Sequence, residues 1–101
     1  MIKATVLYGH PTDARAFEKY YKETHIPLVI KTAGIVKTEY TKFLPNPDGS
    51  APAHYRMAAL YFNTPEEMQQ VMASDDGKAT AADLTNFATG GVTIVFGIVE
   101  S

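Results

Sequence analysis

Cysteine is absent from this 101-residue chain, which excludes disulfides, thiolate nucleophiles and cysteine-ligated zinc or iron–sulfur centres. An excess of one charge is lacking too. Nine Lys and Arg against 11 Asp and Glu give a net charge of -2, with the signs interspersed, so there is no basic footprint for DNA or RNA. No segment approaches the ~20 apolar residues that span a membrane, and Met1 to Thr5 holds no apolar stretch of the kind that directs secretion. A cytoplasmic protein is expected. The three histidines are not linked by HxH, HExxH or carboxylate–histidine spacing, so no metal site is expected. Neither Gly9-His10-Pro11 nor Gly90-Gly91 has phosphate-loop spacing, and no nucleotide or other cofactor is expected. The serines, at 50, 74 and 101, fall in loop, cap or terminal positions that give a nucleophile no support.

What remains is the composition of an ordinary globular protein. A hydrophobic content of 46% with 20% charge is enough to fill a core, and the length fits one domain over residues 1–101. Ile2, Ala4, Val6 and Tyr8 alternate with Lys3, Thr5 and Leu7, the period of a strand. Gly9-His10-Pro11 ends it, and Thr12 or Asp13 can cap a helix. Phe17, Tyr20, Tyr21, Thr24 and His25 follow at three- and four-residue steps, one helical stripe. Pro27 disfavours helical angles at Ile26, so this helix is expected to stop or kink near His25, with a further turn ending at Gly34.

A second strand fits Ile35 to about Phe43, and residues 45–52 are rich in Pro, Asn, Asp and Gly, the makings of a long hairpin tip. A third strand runs from about Tyr55 to Phe62. Thr64-Pro65-Glu66-Glu67 combines a cap, a first-turn proline and acidic residues, the clearest helix start in the chain. Ser74-Asp75-Asp76-Gly77 breaks the path before another helical piece with Leu84 and Phe87 facing inward. After Gly90-Gly91, Val92 to Val99 forms the last strand. The order β-α-β-β-α-β is a split βαβ, an α+β fold with a four-stranded antiparallel sheet and helices on one face.

The last strand lacks a polar face: Val92, Ile94, Phe96 and Ile98 point one way, Val95 and Val99 the other. The third strand likewise sets Met57, Ala59 and Tyr61 against Ala58, Leu60 and Phe62. Helices cover one side of such a sheet, so a homodimer through the other face is expected. The competing reading is a strand rich in β-formers with one apolar face left exposed.

His25 is the leading chemical candidate. It lies one helical turn after Tyr21 and two after Phe17, so it faces the sheet with the apolar stripe. A helix C-terminus favours imidazolium while burial favours the neutral ring, and these opposed pulls can hold a histidine near neutral pH as acid or base. The plainer alternative is a histidine bonded to a backbone carbonyl that fixes the kink. Among the tyrosines, Tyr61 and Tyr8 are the candidates to orient a ligand oxygen, while the others serve equally as core or dimer contacts.

The run Phe17-x-x-Tyr20-Tyr21-x-x-x-His25-x-Pro27-Leu28-Val29, followed by Ala33-Gly34-Ile35, resembles the EthD family. That family is named for a protein of ethyl tert-butyl ether degradation and belongs to the dimeric α+β barrel superfamily. The resemblance extends over nearly the whole chain and marks Phe17, Tyr20, Tyr21, His25, Pro27 and Leu28. Tyr21 stands where relatives often have tryptophan, and Thr32-Ala33-Gly34 where a Pro-Gly is common. The resemblance implies a ferredoxin-like protomer, a dimer whose sheets form a barrel, and a pocket between each sheet and its own helices. Superfamily members include cofactor-free monooxygenases acting on polyketides, lactone isomerases, polyketide cyclases and haem-binding enzymes, several of which use a pocket histidine as acid or base.

Three functions are therefore open. One is a small cofactor-independent enzyme of oxidoreductase (monooxygenase), isomerase or cyclase type on an apolar, oxygenated or aromatic metabolite, with His25 and Tyr61 catalytic and Tyr8, Phe17, Tyr21 and Leu28 binding the ligand. The 45–53 tip would partly cover its entrance. The others are a non-catalytic carrier of a hydrophobic compound and a purely structural dimer whose helix–sheet space is filled.

Overall fold

The computed structural model describes residues 1–100. Strand β1 (Ile2–Tyr8) is followed by α1 (Ala14–Tyr20), a π-helical turn (Tyr21–His25) and α2 (Ile26–Lys31). Strands β2 (Lys37–Lys42) and β3 (Arg56–Phe62) come next, then α3 (Pro65–Ala73), α4 (Asp75–Asp83), a 3-10 turn (Leu84–Asn86) and β4 (Val92–Ile98). The strands form one sheet in the order β2-β3-β1-β4, every neighbouring pair antiparallel. This is the ferredoxin-like α+β fold.

Local chemistry accounts for the element ends. Asp13 accepts a hydrogen bond from the Ala16 amide at 3.1 Å and Thr64 one from the Glu67 amide at 3.1 Å, capping α1 and α3. Ser74 ends α3 and caps α4 through the Gly77 amide. The break expected at Pro27 takes another form. The helix does not stop at His25; it widens into a π turn in which the Ile26 amide reaches back to the Tyr21 carbonyl, then continues through Pro27 to Lys31. At 3.6 residues per turn, four-residue steps over-rotate by about 40° each. The wider turn takes back part of that drift, so Phe17, Tyr21, His25 and Val29 all stay buried on one line.

Register sorts the sheet's faces, because paired residues share a face. Ala4, Val6 and Tyr8 of β1 lie with Phe96, Ile94 and Val92 of β4 and with Leu60, Ala58 and Arg56 of β3. This face meets the helices. The opposite face carries Lys3, Thr5, Leu7, Met57, Ala59, Tyr61, Lys37, Glu39 and Val95. It is mixed rather than wholly apolar. Exposed apolar side chains also run along edge strand β4, where Val92, Ile94, Val95, Phe96 and Ile98 are all exposed because the helices stop short of it, while the second face keeps Leu7, Met57, Ala59 and Val95 among its polar residues.

Two clusters make up the core. One is aromatic, with Tyr8, Phe17, Tyr21 and Phe87 around Val6 and Ala58; the other joins Ala4, Phe62 and Val71. Each large side chain buried contributes about 1.5–3 kcal/mol. Glu18 fastens α1 to the sheet through two bonds from Arg56, at 2.8 and 2.7 Å, and one from the Tyr55 hydroxyl at 3.0 Å.

The loops at the ends of β1 and before β4 pass at backbone contact. A Cβ placed on Gly90 would lie 2.2 Å from the His10 carbonyl oxygen and 2.6 Å from the Gly9 carbonyl carbon, and the Gly9 amide donates to Gly91 at 3.0 Å. Backbone on both sides leaves nothing soft to yield. Gly90→Ala is expected to lower the unfolding free energy by about 1–3 kcal/mol, the usual cost of forced strain in a packed site, read as a lower urea midpoint with an unchanged slope.

Candidate functional site

Between the two core clusters the helices and sheet leave a cavity of about 260 Å³. Ala4, Val6 and Tyr8 of β1, Ala58, Leu60 and Phe62 of β3, and Tyr40 of β2 form its floor. Tyr21, His25 and Val29 descend from the first helical run, while Val71 of α3 and Thr80 and Leu84 from the second layer complete the roof. The engineered cavity that binds benzene measures about 150 Å³, so this one has room for a larger small molecule. The helix–sheet space is not filled by side chains.

His25 is 4% exposed and lies on the wall of this cavity. Its Nδ1 is 2.9 Å from Oδ2 of Asp83, itself buried at the end of α4. The other carboxylate oxygen accepts from the Tyr20 hydroxyl at 2.5 Å and from Asn86 Nδ2 at 3.0 Å. Burial pulls the Asp83 carboxyl up, but hydrogen bonds from Tyr20, Asn86 and His25 outweigh it and hold it below its ordinary value. An ionised carboxylate can only accept. His25 therefore carries its proton on Nδ1 and keeps the Nε2 lone pair free, with no protein partner for that nitrogen among the described residues. The imidazole is held further by Tyr21, stacked on it at 5.9 Å, and by Phe87 at 4.6 Å.

Burial lowers the His25 pKa from the ordinary 6.5, and Asp83 opposes the shift without cancelling it. The opposing pull comes from this carboxylate and not from a helix terminus, since the helix runs on past His25. At neutral pH the ring is uncharged, a base with a fixed tautomer. Tyr21, wholly buried, has its phenol pushed up to about 12 by burial, and burial raises Tyr8 further still. Both remain neutral donors.

The structure brings together some of the residues singled out from the sequence and not others. Tyr8, Tyr21 and His25 share the cavity wall. Phe17 sits behind it, 5.5 Å from the Tyr8 ring and 5.3 Å from Tyr21. Leu28 does not reach the wall; Val29 takes that place, because the line of buried residues runs in four-residue steps from His25. Tyr61 is on the opposite sheet face, donating to Glu39 Oε1 at 2.6 Å beneath Lys3 and Lys37. Strand alternation carries Ala58, Leu60 and Phe62 to the cavity and so turns Tyr61 away. The 45–53 tip is tied back through His10 Nε2 to the Pro52 carbonyl at 2.7 Å and does not line the cavity. Asp83 and Tyr40 escaped the sequence reading. For Asp83 a signal existed: it precedes Phe87 by one helical turn, a carboxylate on an inward stripe.

Because His25 titrates lower in the folded chain than in the unfolded one, acidification through about 6.5 loads a proton on the unfolded chain first and stability falls. Above that value its contribution is complete. Glu18, held at about 2 chiefly by its hydrogen bonds to Arg56, adds a second loss below its ordinary 4.5. Thermal midpoints measured from pH 8 to 3 are expected to fall in these two stages, and His25→Gln is expected to remove the first while leaving the second.

The model of the EthD domain matches residues 9–91. An 11.0 kDa protein from the thcB–thcC intergenic region of Rhodococcus erythropolis is 40% identical over 96 residues, 95% of this chain and 92% of that protein. The crystal structure of an EthD family protein from Bacillus halodurans superimposes with a TM-score of 0.92 at 34% identity, covering 99% of each chain. At 16% identity and a TM-score of 0.68, a dimeric protein of ferredoxin-like fold from Bacteroides fragilis, 95% of whose chain is covered against 97% of this one, shares the fold alone. With the match spanning most of its length and its His25 motif, this chain belongs to the EthD family.

Proposed function

We propose that this chain is a small proton-transfer enzyme acting on an apolar, oxygen-bearing or aromatic compound held between its sheet and its helices, with His25 as the general base. The observation that carries the reading is the buried imidazole with Nδ1 fixed on Asp83 beside a cavity. A general base needs a free lone pair within reach of the reacting proton and a pKa near the working pH. Nε2 supplies the first, and burial opposed by Asp83 bears on the second. Asp83 and Tyr20 are positioning residues, acting through the imidazole. Isomerisation and cyclisation are reactions of this type that need proton movement alone.

The overwhelmingly apolar lining of the cavity favours one second reading, a carrier that holds a hydrophobic compound for another enzyme. The two separate on a panel of apolar oxygenated compounds followed by turnover and by thermal shift. The enzyme reading expects conversion that drops at least ~100-fold in His25→Ala and His25→Gln, with Asp83→Asn changing the pH profile. Conversion that survives both His25 changes overturns it. Thermal stabilisation by ligand with no turnover in any variant supports the carrier.

The working form in this reading is a pair of copies. Support comes from β4, where Phe96 is 52% and Ile98 73% exposed, a contiguous apolar strip of the kind monomers seldom leave uncovered. Ile94 belongs both to this strip and to the cavity wall, so a second copy seated there would close that side. Light scattering is expected to give twice the 11.0 kDa chain mass for the wild type and the single mass for Phe96→Glu. A wild type that stays single at micromolar concentration overturns the pairing.

A further inference from the structure

Polar groups on the cavity wall are few, and most are already satisfied. Thr32 donates to the Leu28 carbonyl at 2.9 Å and Thr80 to the Asp76 carbonyl at 2.9 Å. Nδ1 of His25 is committed to Asp83. Among the described residues, the hydroxyls of Tyr21 and Tyr40 are sealed from solvent and without a hydrogen-bond partner of good geometry. The Tyr8 phenol lies close enough to Tyr21 for the two to influence each other's ionisation, but the contact falls short of a well-formed hydrogen bond and leaves the Tyr21 hydroxyl without a partner of good geometry. Buried polar groups left unpaired are uncommon and costly, and each needs an explanation.

Their arrangement supplies one. Tyr40 rises from β2 and Tyr21 comes down from the π turn, their rings edge to face at 6.2 Å. Tyr21 in turn stacks on His25 at 5.9 Å. Two neutral donors and one neutral base thus border a single apolar space. Among the described residues no unpaired charge does: the guanidinium of Arg56, 5.1 Å from the Tyr21 ring, is taken up by the Glu18 carboxylate. A charged ligand would lose its hydration there with nothing to replace it. A neutral oxygen with two lone pairs can accept from both phenols.

We propose that Tyr21 and Tyr40 together hold a ligand oxygen, and that the ligand is a neutral apolar carbonyl compound deprotonated by His25 at the carbon next to its carbonyl. This rests on the assignment of His25 as base and adds to it the substrate class. Nε2 takes the proton, the C–H electron pair becomes a C=C bond, and the carbonyl π pair moves onto oxygen. The two phenols hold the resulting enolate as oxyanion donors. Return of the proton from His25 to the same or another carbon restores a carbonyl, so no oxidant or reductant is consumed.

The test uses two bicyclic probes of closely similar shape, β-tetralone and its carbonyl-free counterpart tetralin. Binding is read by calorimetry, and exchange of the carbonyl-adjacent protons in deuterium oxide by proton NMR. The wild type is expected to bind β-tetralone more tightly than tetralin and to exchange its protons above the protein-free rate. Tyr40→Phe is expected to weaken β-tetralone between about two- and tenfold, leave tetralin unchanged, slow exchange, and match or raise the ligand-free thermal midpoint by deleting an unpaired hydroxyl. His25→Gln is expected to bind β-tetralone but not to exchange it. Equal binding of both probes by the wild type, or a Tyr40→Phe protein with its β-tetralone preference intact, overturns the oxygen-holding pair while leaving His25 as base. Exchange that persists in His25→Gln alongside an intact β-tetralone preference overturns the base and with it the enolisation. Binding of neither probe overturns the ligand class.

Discussion

One buried hydrogen bond ties the chemistry to the fold. His25 on the first helical run and Asp83 at the end of α4 stand 58 residues apart, and their 2.9 Å contact closes the helical layer over the sheet. The carboxylate could not be buried alone, because desolvating an unpaired charge is prohibitive. It is accommodated by three donors, Tyr20, Asn86 and His25, each aligned by a helical element whose apolar side is already in the core. The same bond sets the tautomer of His25, and so decides which ring nitrogen is left for other work.

The cavity follows from how the core is divided. A cluster of four aromatic rings packs at one end of the helix–sheet layer and a smaller one of Ala4, Phe62 and Val71 at the other, and members of both line the cavity. The four-residue line from Phe17 to Val29 can present Tyr21 and His25 to the same space because a π turn takes back the rotation an α-helix would accumulate. Pro27, which lacks an amide proton, sits just beyond that turn, where regular i to i−4 bonding is already interrupted. Local irregularity and site geometry are here the same feature.

Electrostatically the interior leaves neither of its buried charges without hydrogen-bond partners. Arg56 is neutralised by Glu18 on the sheet side, and Asp83 is ringed by donors on the helix side. Between them lie a histidine held neutral by burial and phenols whose protons burial retains. Among the described residues, the His25 lone pair and the hydroxyls of Tyr8, Tyr21 and Tyr40 are polar groups on an otherwise largely apolar wall.

Much of this was legible in the residues themselves. Alternation along β1, the Thr64 cap and the turn-rich segment before β3 gave the element order, and periodicity put Tyr21 and His25 on one sheet-facing stripe, whereas Tyr8 was singled out on the same footing as Tyr61. Such features depend on neighbours within a helical turn or a strand. The sequence did not reveal the partner of His25, because Asp83 arrives from a separate helix and its contact depends on how two layers dock. Nor did it show that Tyr61 faces away while Tyr40 faces in: strand phase relative to the helices is a property of the assembled sheet. The family resemblance and the βαββαβ order were determined by local sequence. Which tyrosines meet the histidine, which carboxylate orients it and how much space lies between them were decided by tertiary packing, since each depends on side chains far apart in the chain meeting across two layers.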